Sequence, residues 1–209
     1  MKQFVVAGIG TEIGKTYISA ILTEALKADY WKPVQAGSLD STDTDFVREH
    51  ISNTNSVCHP ERYRLTAPMS PHAAAAVDGI RIDLRQLAIP ETDNHLFIEL
   101  AGGLMVPLND QELNTDLIKL WGLPVILVSR NYLGSINHTL LSVEVLKQKG
   151  VDVAGIIFNG EPNRTSEDFI TQYTGLTCLA KTLPEKAVSR ESIRRLADEL
   201  TESLKQYLI

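Results

Sequence analysis

Short apolar runs alternate with helical patterns along the chain. The runs that predict strands cover residues 4–7, 30–34, 96–100, 124–129, 153–158 and 176–182. Helical periodicity covers residues 15–26, 137–149 and 189–208. Gly150 closes the second of these helices, whereas the third begins without a full capping box. Strands that are apolar throughout and separated by helices indicate a mostly parallel β-sheet flanked by helices, which is an α/β fold.

No internal repeat, low-complexity tract or linker interrupts the chain, so we expect residues 1–209 to form a single domain. Residues 40–71 are polar and weakly patterned, and connections of that length are often functional. In parallel sheets, ligands bind beyond the carboxyl ends of the strands. Functional residues are therefore expected directly after the predicted strands.

Composition narrows the functional classes. The chain carries 20 Lys and Arg against 26 Asp and Glu and has no basic block, which argues against a nucleic-acid partner. Its two cysteines, Cys58 and Cys178, cannot form a disulfide framework and favour a reducing compartment. No apolar run reaches the ~18–20 residues of a membrane helix, and the start at Met1 lacks a signal-peptide layout. We therefore expect a cytoplasmic protein with no membrane contact.

The turn after the first predicted strand has the residues of a phosphate-binding loop. Residues 8–16 read GIGTEIGKT and end in Gly14, Lys15 and Thr16, where the strand gives way to a helix. Glycine lets backbone N–H groups approach phosphate oxygens, lysine meets the β- and γ-phosphate charge, and the threonine hydroxyl can hold Mg²⁺. Five residues rather than the usual four separate Gly8 from Gly14.

Two other kinds of nucleotide site share part of this pattern. A dinucleotide fold has similar glycine spacing but needs an acidic residue after the second strand, ~20 residues on. That strand instead ends in Trp31, Lys32 and Pro33. Partitioning-type ATPases resemble the loop but carry a second lysine five residues before Lys15, where this chain has Gly10. The pattern favours an enzyme that uses a nucleoside triphosphate.

Charged residues follow two further strands. Glu99 ends an apolar run, and a carboxylate there, opposite a phosphate loop, is typical of a Mg²⁺ partner. Lys32 follows the second strand, where a second cation would assist phosphoryl transfer. Asp40, Asp43 and Asp45 lie in the polar stretch, and spacing alone leaves open which of them is a second metal ligand.

Taken in order, these motifs resemble the ATP-dependent dethiobiotin synthetases of the biotin pathway, a family of phosphate-loop NTPase type. The resemblance runs from Gly8 to about Pro184. Besides the phosphate loop, it rests on Lys32-Pro33-Val34-x-x-Gly37, Ser70-Pro71-His72, Glu99-x-Ala101-Gly102-Gly103 and Leu133-Gly134-x-Ile136-Asn137-His138. Each motif alone is weak, whereas their common order is specific.

The resemblance implies an ATP-dependent cyclo-ligase. In that reaction 7,8-diaminononanoate takes up CO2 as an N-carbamate, and a carbamate oxygen attacks the γ-phosphate of ATP. The second amine then closes the carbamic-phosphoric mixed anhydride to dethiobiotin, with ADP and phosphate as the other products. The family is homodimeric, with the substrate at the subunit interface and Mg²⁺ beside ATP.

Residue roles come from the same resemblance. It implies catalytic roles for Thr11, Glu12, Lys15 and Lys32, and metal ligation by Thr16, Asp45 and Glu99. The residues implied to bind the nucleotide are Glu12, Ile13, Gly14, Lys15, Thr16, Tyr17, Asp45, Glu99, Gly102, Asn159 and Pro184. Those implied to contact the diamine are Thr11, Lys32, Ala36 and, from the partner subunit's helix start, Gly134, Ser135, Ile136 and Asn137.

Two positions depart from the family pattern, and one alternative function stays open. Ala36 replaces a hydroxyl residue that contacts the substrate, and Leu100 replaces the glycine after the metal glutamate. Loss of one hydrogen bond at Ala36 would cost on the order of 1 kcal/mol. The alternative is a non-catalytic nucleotide switch of the partitioning-ATPase type, which would hydrolyse ATP without a small amine.

Overall fold

The computed structural model describes residues 1–183, 185 and 187–209, so Pro184, implied to lie beside the base, falls outside the described residues. The strands are β1 Gln3–Gly8, β2 Asp29–Trp31, β3 Val34–Ala36, β4 Cys58–His59, β5 Tyr63–Leu65, β6 Leu96–Gly103, β7 Val125–Arg130, β8 Val153–Asn159 and β9 Cys178–Thr182. The α-helices are α1 Lys15–Leu26, α2 Asp43–His50, α3 Pro71–Val77, α4 Asn114–Trp121, α5 Ser135–Gln148, α6 Arg164–Thr174 and α7 Arg190–Leu208.

Seven strands form one parallel sheet in the order β4-β2-β6-β1-β7-β8-β9, and β3 pairs with β5 in a separate two-stranded sheet. The α/β fold expected from the sequence is thereby confirmed. None of the helices in the described part of the chain combines the length and apolarity needed to span a bilayer.

Both faces of the sheet are buried, as the continuous apolar strands predicted. Along β1, Phe4 and Val6 belong to the cluster formed with α1 and α7, whereas Val5 and Ala7 belong to the cluster formed with α3, α4 and α5. Alternate side chains of a strand point to opposite faces, so a strand between two helical layers has no polar face. The carboxyl ends of β1, β2 and β6 meet at one edge between these layers.

The predicted strand over residues 30–34 is wrong in one respect, because it is two strands in two sheets. The chain leaves β2 after Trp31 and enters β3 at Val34. Pro33 has no backbone N–H to donate, and proline interrupts the ladder of a central strand. Lys32 therefore lies at the break, at the edge where the ligand site was expected.

Helices α2, α4 and α6 lie outside the predicted set because they are short and bury few apolar residues. Helix α2 buries only Thr44 and Val47, and it begins at a capping box in which Thr42 and Asp45 exchange hydrogen bonds. The buried apolar residues of α4 are Leu117 and Ile118, and that of α6 is Ile170. Helix α7 does have a reciprocal cap, since the Ser189 and Ser192 hydroxyls accept from each other's backbone N–H groups.

A buried aspartate anchors the opposite edge of the sheet. The carboxylate of Asp29 accepts hydrogen bonds from the Thr92 hydroxyl at 2.7 Å, the Val57 N–H at 2.9 Å and the Asn94 amide at 3.2 Å, and His59 Nε2 lies at 2.9 Å. Burial alone would raise the pKa of Asp29, but these hydrogen bonds outweigh it and hold the pKa below its usual range.

We expect Asp29→Ala to lower the free energy of unfolding by about 2–4 kcal/mol, because buried donors lose their acceptor. Because the native pKa lies below that of the unfolded chain, this stabilisation is complete above about pH 4 and is lost as the pH falls further. Urea denaturation at pH 7 and pH 3 measures both effects. The control is Asp93→Ala, which changes an exposed aspartate. Equal stability of the Asp29→Ala and Asp93→Ala variants at pH 7 would contradict the prediction.

Candidate active site

The phosphate loop joins β1 to α1 in a conformation that requires glycine at its last position. Gly14 has a φ of 92°, and a Cβ placed there would lie 2.1 Å from Asn159 Nδ2. Asn159, at the end of β8, donates from Nδ2 to the Ile13 carbonyl at 2.8 Å and accepts from the Thr182 hydroxyl at 3.0 Å. A hydrogen bond thus holds the loop to the end of β8, which lies two strands from β1 in the sheet, and this fixes the direction of the loop's backbone N–H groups.

Lys15 opens α1 and folds back over the loop. Its ammonium donates to the Gly10 carbonyl at 3.1 Å, and the residue is only 7% exposed. Burial lowers the pKa of Lys15 to about 8; the Glu99 carboxylate opposes this effect and the Lys32 ammonium adds to it. A charged, desolvated ammonium at a helix N-terminus is well placed for the β- and γ-phosphates of a nucleotide.

Lys32, Glu99 and Thr16 form one buried polar cluster. Oε1 of Glu99 accepts from the Thr16 hydroxyl at 2.8 Å and from Lys32 Nζ at 3.1 Å, and Lys32 also pairs with Asp43. Lys32 is 5% and Glu99 1% exposed. Burial alone would lower the pKa of Lys32, but the carboxylates of Glu99 and Asp43 raise it, so the lysine stays charged. Two carboxylates thus share one ammonium.

The structure brings Asp43 into this cluster, whereas Asp45 points elsewhere. Oδ2 of Asp45 accepts from the Thr42 backbone N–H at 3.1 Å and from the Thr42 hydroxyl at 2.8 Å, and its Oδ1 accepts from Arg48 at 2.6 Å. The Thr42 hydrogen bonds and the Arg48 cation hold the pKa of Asp45 below its usual range. Asp45 thus caps α2, whereas Asp43 is the carboxylate of this stretch that contacts Lys32.

A spacing signal in the sequence could have identified Asp43. Thr42 followed three residues later by Asp45 is a capping-box pattern, and a capping carboxylate is unavailable to a ligand. Gln35, which sequence reasoning did not single out, helps to place Asp43 by accepting its backbone N–H at 3.3 Å.

One cavity of about 780 Å³ adjoins the cluster. Pockets of 300–1,000 Å³ are usual for small-molecule sites. Its lining includes thirteen of the residues that the sequence singled out, namely Thr11, Glu12, Gly14, Lys15, Thr16, Lys32, Ala36, Asp43, Ser70, Pro71, Glu99, Ala101 and Gly102. The other lining residues are Gln35, Ser38, Ser41, Pro68, Met69 and Val106.

Further residues implied to bind the nucleotide surround the loop. Glu12 is exposed with a φ of 57°, and its carbonyl accepts from Arg130 at 3.1 Å. Ile13 packs into the core, and the Tyr17 hydroxyl donates to the Leu183 carbonyl at 3.3 Å. Burial and the nearby Glu185 carboxylate raise the pKa of Tyr17 to about 12.

The motif implied to contact the diamine from the partner subunit does not line the cavity of its own chain; it comprises Gly134, Ser135, Ile136 and Asn137. Gly134 has a φ of 101° and precedes α5, whose first residue, Ser135, is buried. Before it, Leu133 is fully exposed. Within this chain the motif therefore lies outside the cavity.

The chain is similar to known proteins along nearly its whole length. The model of the family described as "AAA domain" matches residues 2–192. A protein of Christiangramia forsetii named ATP-dependent dethiobiotin synthetase is 48% identical over 97% of this chain and 98% of its own. A Cytophaga hutchinsonii protein of the same name is 47% identical over 96% of this chain and 97% of its own.

Solved structures share the fold at much lower identity. A putative plasmid partition protein of Borrelia burgdorferi superimposes with a TM-score of 0.60 at 11% identity, covering 98% of both chains. The cell division ATPase MinD of Pyrococcus furiosus gives a TM-score of 0.57 at 14% identity, covering 97% of this chain and 99% of that one. At such identities the likeness shows the fold alone.

We expect Lys15→Met to stabilise the protein in EDTA without nucleotide, because the native pKa of Lys15 lies below its ordinary value. At pH 7 the folded protein therefore carries a desolvation cost, on the order of 1–3 kcal/mol, that an apolar side chain removes. Thermal and urea unfolding measure the gain in the free energy of unfolding. The control is Lys119→Met, which changes an exposed lysine of α4. A lower melting temperature for Lys15→Met than for Lys119→Met would contradict this reasoning.

Proposed function

Because the chain belongs to the AAA-domain family and to the ATP-dependent dethiobiotin synthetases within it, we propose that the cavity beside Lys15, Lys32 and Glu99 is where the ring of dethiobiotin is closed. The protein is a ligase that uses ATP. The observation that carries the assignment of the site is the cluster of Lys32, Asp43, Glu99 and Thr16 beside a phosphate loop whose own lysine, Lys15, is buried.

The chemistry of ring closure explains the concentration of charge. One amine of 7,8-diaminononanoate takes up CO2 and loses a proton, and an oxygen of the resulting carbamate attacks the γ-phosphorus while ADP leaves. The second amine then attacks the carbamic carbonyl, phosphate departs and the amine loses its proton. Carbamate, γ-phosphate and β-phosphate are all anionic, so they are held together only where cations offset their repulsion.

The two lysines divide this task. Lys15 lies in the phosphate loop and faces the β- and γ-phosphates, whereas Lys32 follows β2, two strands from β1 in the sheet, and faces the transferring group from the carbamate side. Lys32 currently holds Asp43 and Glu99, and both are also the acidic ligands proposed for Mg²⁺. We propose that Lys32 exchanges these carboxylates for the anions of the substrates when the metal and the nucleotide bind.

For Mg²⁺ we propose Thr16, Asp43 and Glu99 as ligands. A hydroxyl and two carboxylates form an oxygen-only set, which suits this ion, and both carboxylates contact the same ammonium in the structure. When bound, Mg²⁺ neutralises developing charge on the β- and γ-phosphates. No three His, Cys, Asp or Glu side chains within residues 1–183, 185 and 187–209 converge as a metal site, so water and phosphate oxygens would complete the coordination.

The remaining implied roles fit the cavity in different degrees. Thr11 and Ala36 line it. Ala36 has no hydroxyl, but Ser38, Ser41 and Ser70 supply hydroxyls to the same cavity. The Asn159 side chain is hydrogen-bonded to Ile13 and Thr182, so we propose that it holds the phosphate loop in place beside the base.

We also propose a homodimer in which Gly134–Asn137 of one protomer reaches the site of its partner. This assignment is supported by the absence of that motif from the lining of its own cavity and by the exposed Leu133.

The nucleotide-switch alternative gains little support. The two partition and cell-division ATPases named above are 11% and 14% identical to this chain, whereas the two dethiobiotin synthetases are 48% and 47% identical over nearly the whole chain. Gly10 stands where the switch family has its second lysine, and in this structure the Gly10 carbonyl accepts from Lys15. A buried Lys32 beside an open cavity serves a bound substrate better than a protein partner.

We expect ADP release from Mg²⁺-ATP and bicarbonate to require 7,8-diaminononanoate and to match dethiobiotin formed, measured by coupled assay and mass spectrometry. Lys32→Ala should lower the rate by at least about 10³-fold, because a buried cation at the transferring phosphate is lost. The exposed Lys119→Ala is the control. ATP turnover indifferent to the diamine, with no ring product, would move the assignment to the switch.

The choice between Asp43 and Asp45 as the metal aspartate yields a matched pair of variants. Asp43→Asn should raise the half-saturating Mg²⁺ concentration about tenfold or more, because a ligand charge is lost. Asp45→Asn should leave that concentration within about twofold and chiefly affect helix stability. Mg²⁺ titrations at saturating ATP compare the two, and a larger shift for Asp45→Asn would restore that residue as the ligand.

A further inference from the structure

Glu99 has a hydrogen-bond partner that the reaction described above does not use. Tyr30, the middle residue of β2, donates its phenol hydroxyl to Oε2 of Glu99 at 2.9 Å. Tyr30 is fully buried, and its ring belongs to the apolar cluster beneath α1 and α7. The bond therefore joins the core of the protein to a carboxylate in the wall of the cavity.

The register of the sheet explains why the phenol reaches this carboxylate. Strands β2 and β6 are parallel neighbours, and Tyr30 is paired with Phe97. Side chains two residues apart along a strand share one face, so Glu99 projects to the same side as Phe97. A tyrosine at position 30 is long enough to reach the next side chain along that face.

The two oxygens of Glu99 have separate partners. Oε1 faces the cavity, where it accepts from the Thr16 hydroxyl and from Lys32. Among the described residues, Tyr30 is the only donor to Oε2. A tyrosine hydroxyl, with an ordinary pKa of about 10, is protonated at pH 7 and donates to a carboxylate. Its hydrogen bond to a charged acceptor is stronger than one between neutral groups.

We propose that Tyr30 is a positioning residue for the metal site: its hydroxyl holds Oε2 of Glu99 and thereby fixes Oε1 toward Thr16 and the bound cation. The proposal rests on the function proposed above, in which Glu99 is a ligand of Mg²⁺. Groups that hydrogen-bond metal-ligating carboxylates orient the ligand, and their loss typically costs 10–100-fold in metal affinity. Without the phenol, Oε2 would be a buried oxygen free to rotate toward Thr16.

Tyr30→Phe removes the hydroxyl and keeps the ring in the core, so it isolates the hydrogen bond. Tyr63→Phe is the matched control, because Tyr63 is also a buried strand tyrosine, and its hydroxyl accepts from the Asp83 N–H at 3.1 Å, away from the cavity. Both variants lose one buried hydroxyl, and only the first loses contact with Glu99.

The probe is Mn²⁺, whose binding to the protein with saturating ADP is followed by electron paramagnetic resonance of the free ion. We expect Tyr30→Phe to raise the Mn²⁺ dissociation constant about tenfold or more and Tyr63→Phe to leave it within about twofold. Excess Mg²⁺ should restore most of the turnover of Tyr30→Phe. A substitution Tyr30→p-aminophenylalanine, which retains a donor at the same place, should return the dissociation constant toward the wild-type value and serves if Tyr30→Phe folds poorly.

Unchanged Mn²⁺ affinity in folded Tyr30→Phe would overturn the proposal, even if turnover fell. So would equal losses in Tyr30→Phe and Tyr63→Phe, which would indicate a general effect of lost buried hydroxyls. Glu99→Gln separates this failure from failure of the proposed function. If Glu99→Gln weakens Mn²⁺ binding and Tyr30→Phe does not, only the role of Tyr30 is lost; if neither does, the metal site itself is wrongly placed.

Discussion

The buried carboxylate of Glu99 is the constraint around which this site is built. An ionised side chain that is 1% exposed persists only where nearby groups replace the water it has lost. Here a threonine hydroxyl, a lysine and a tyrosine hydroxyl do so, each from a different part of the fold. Removing any of these partners leaves a buried charge short of hydrogen bonds, so each partner affects the others.

The topology of the sheet brings those partners together. Strands β1, β6 and β2 are adjacent and parallel, so the phosphate loop, Glu99 and Lys32 all come to the same edge. The break at Pro33 then turns the chain out of the central sheet directly after Lys32, and β3 leads on to Asp43 at the start of α2. The sheet is rigid, whereas Lys32 and Asp43 lie where the chain leaves it. An exchange of ion partners there requires little movement of the core.

Features that depend on local chemistry were predictable from the sequence. Apolar runs identified the main strands, and the loop from Gly8 to Thr16 together with Glu99 identified the edge that carries the site. What escaped prediction depends on contacts between distant segments. After Pro33 the chain enters a second sheet, and that sheet depends on the pairing of β3 with β5. From the sequence alone Tyr30 is an ordinary strand residue, and only its register with Phe97 shows that it reaches Glu99. The preference for Asp45 over Asp43 in the sequence analysis did not weigh the capping box of α2, which is recognisable at Thr42, against ligation.

We propose that Asp43 and Glu99 exchange the Lys32 ammonium for a metal ion while Lys32 turns to the substrates. A crystal structure of the protein with Mg²⁺, a non-hydrolysable ATP analogue, bicarbonate and 7,8-diaminononanoate tests this directly. We expect Mg²⁺ in contact, directly or through water, with Thr16, Asp43 and Glu99, and Lys32 within hydrogen-bond distance of the γ-phosphate or the carbamate. Lys32 still bridging Asp43 and Glu99, with the metal held by Asp45 or away from both carboxylates, would contradict it.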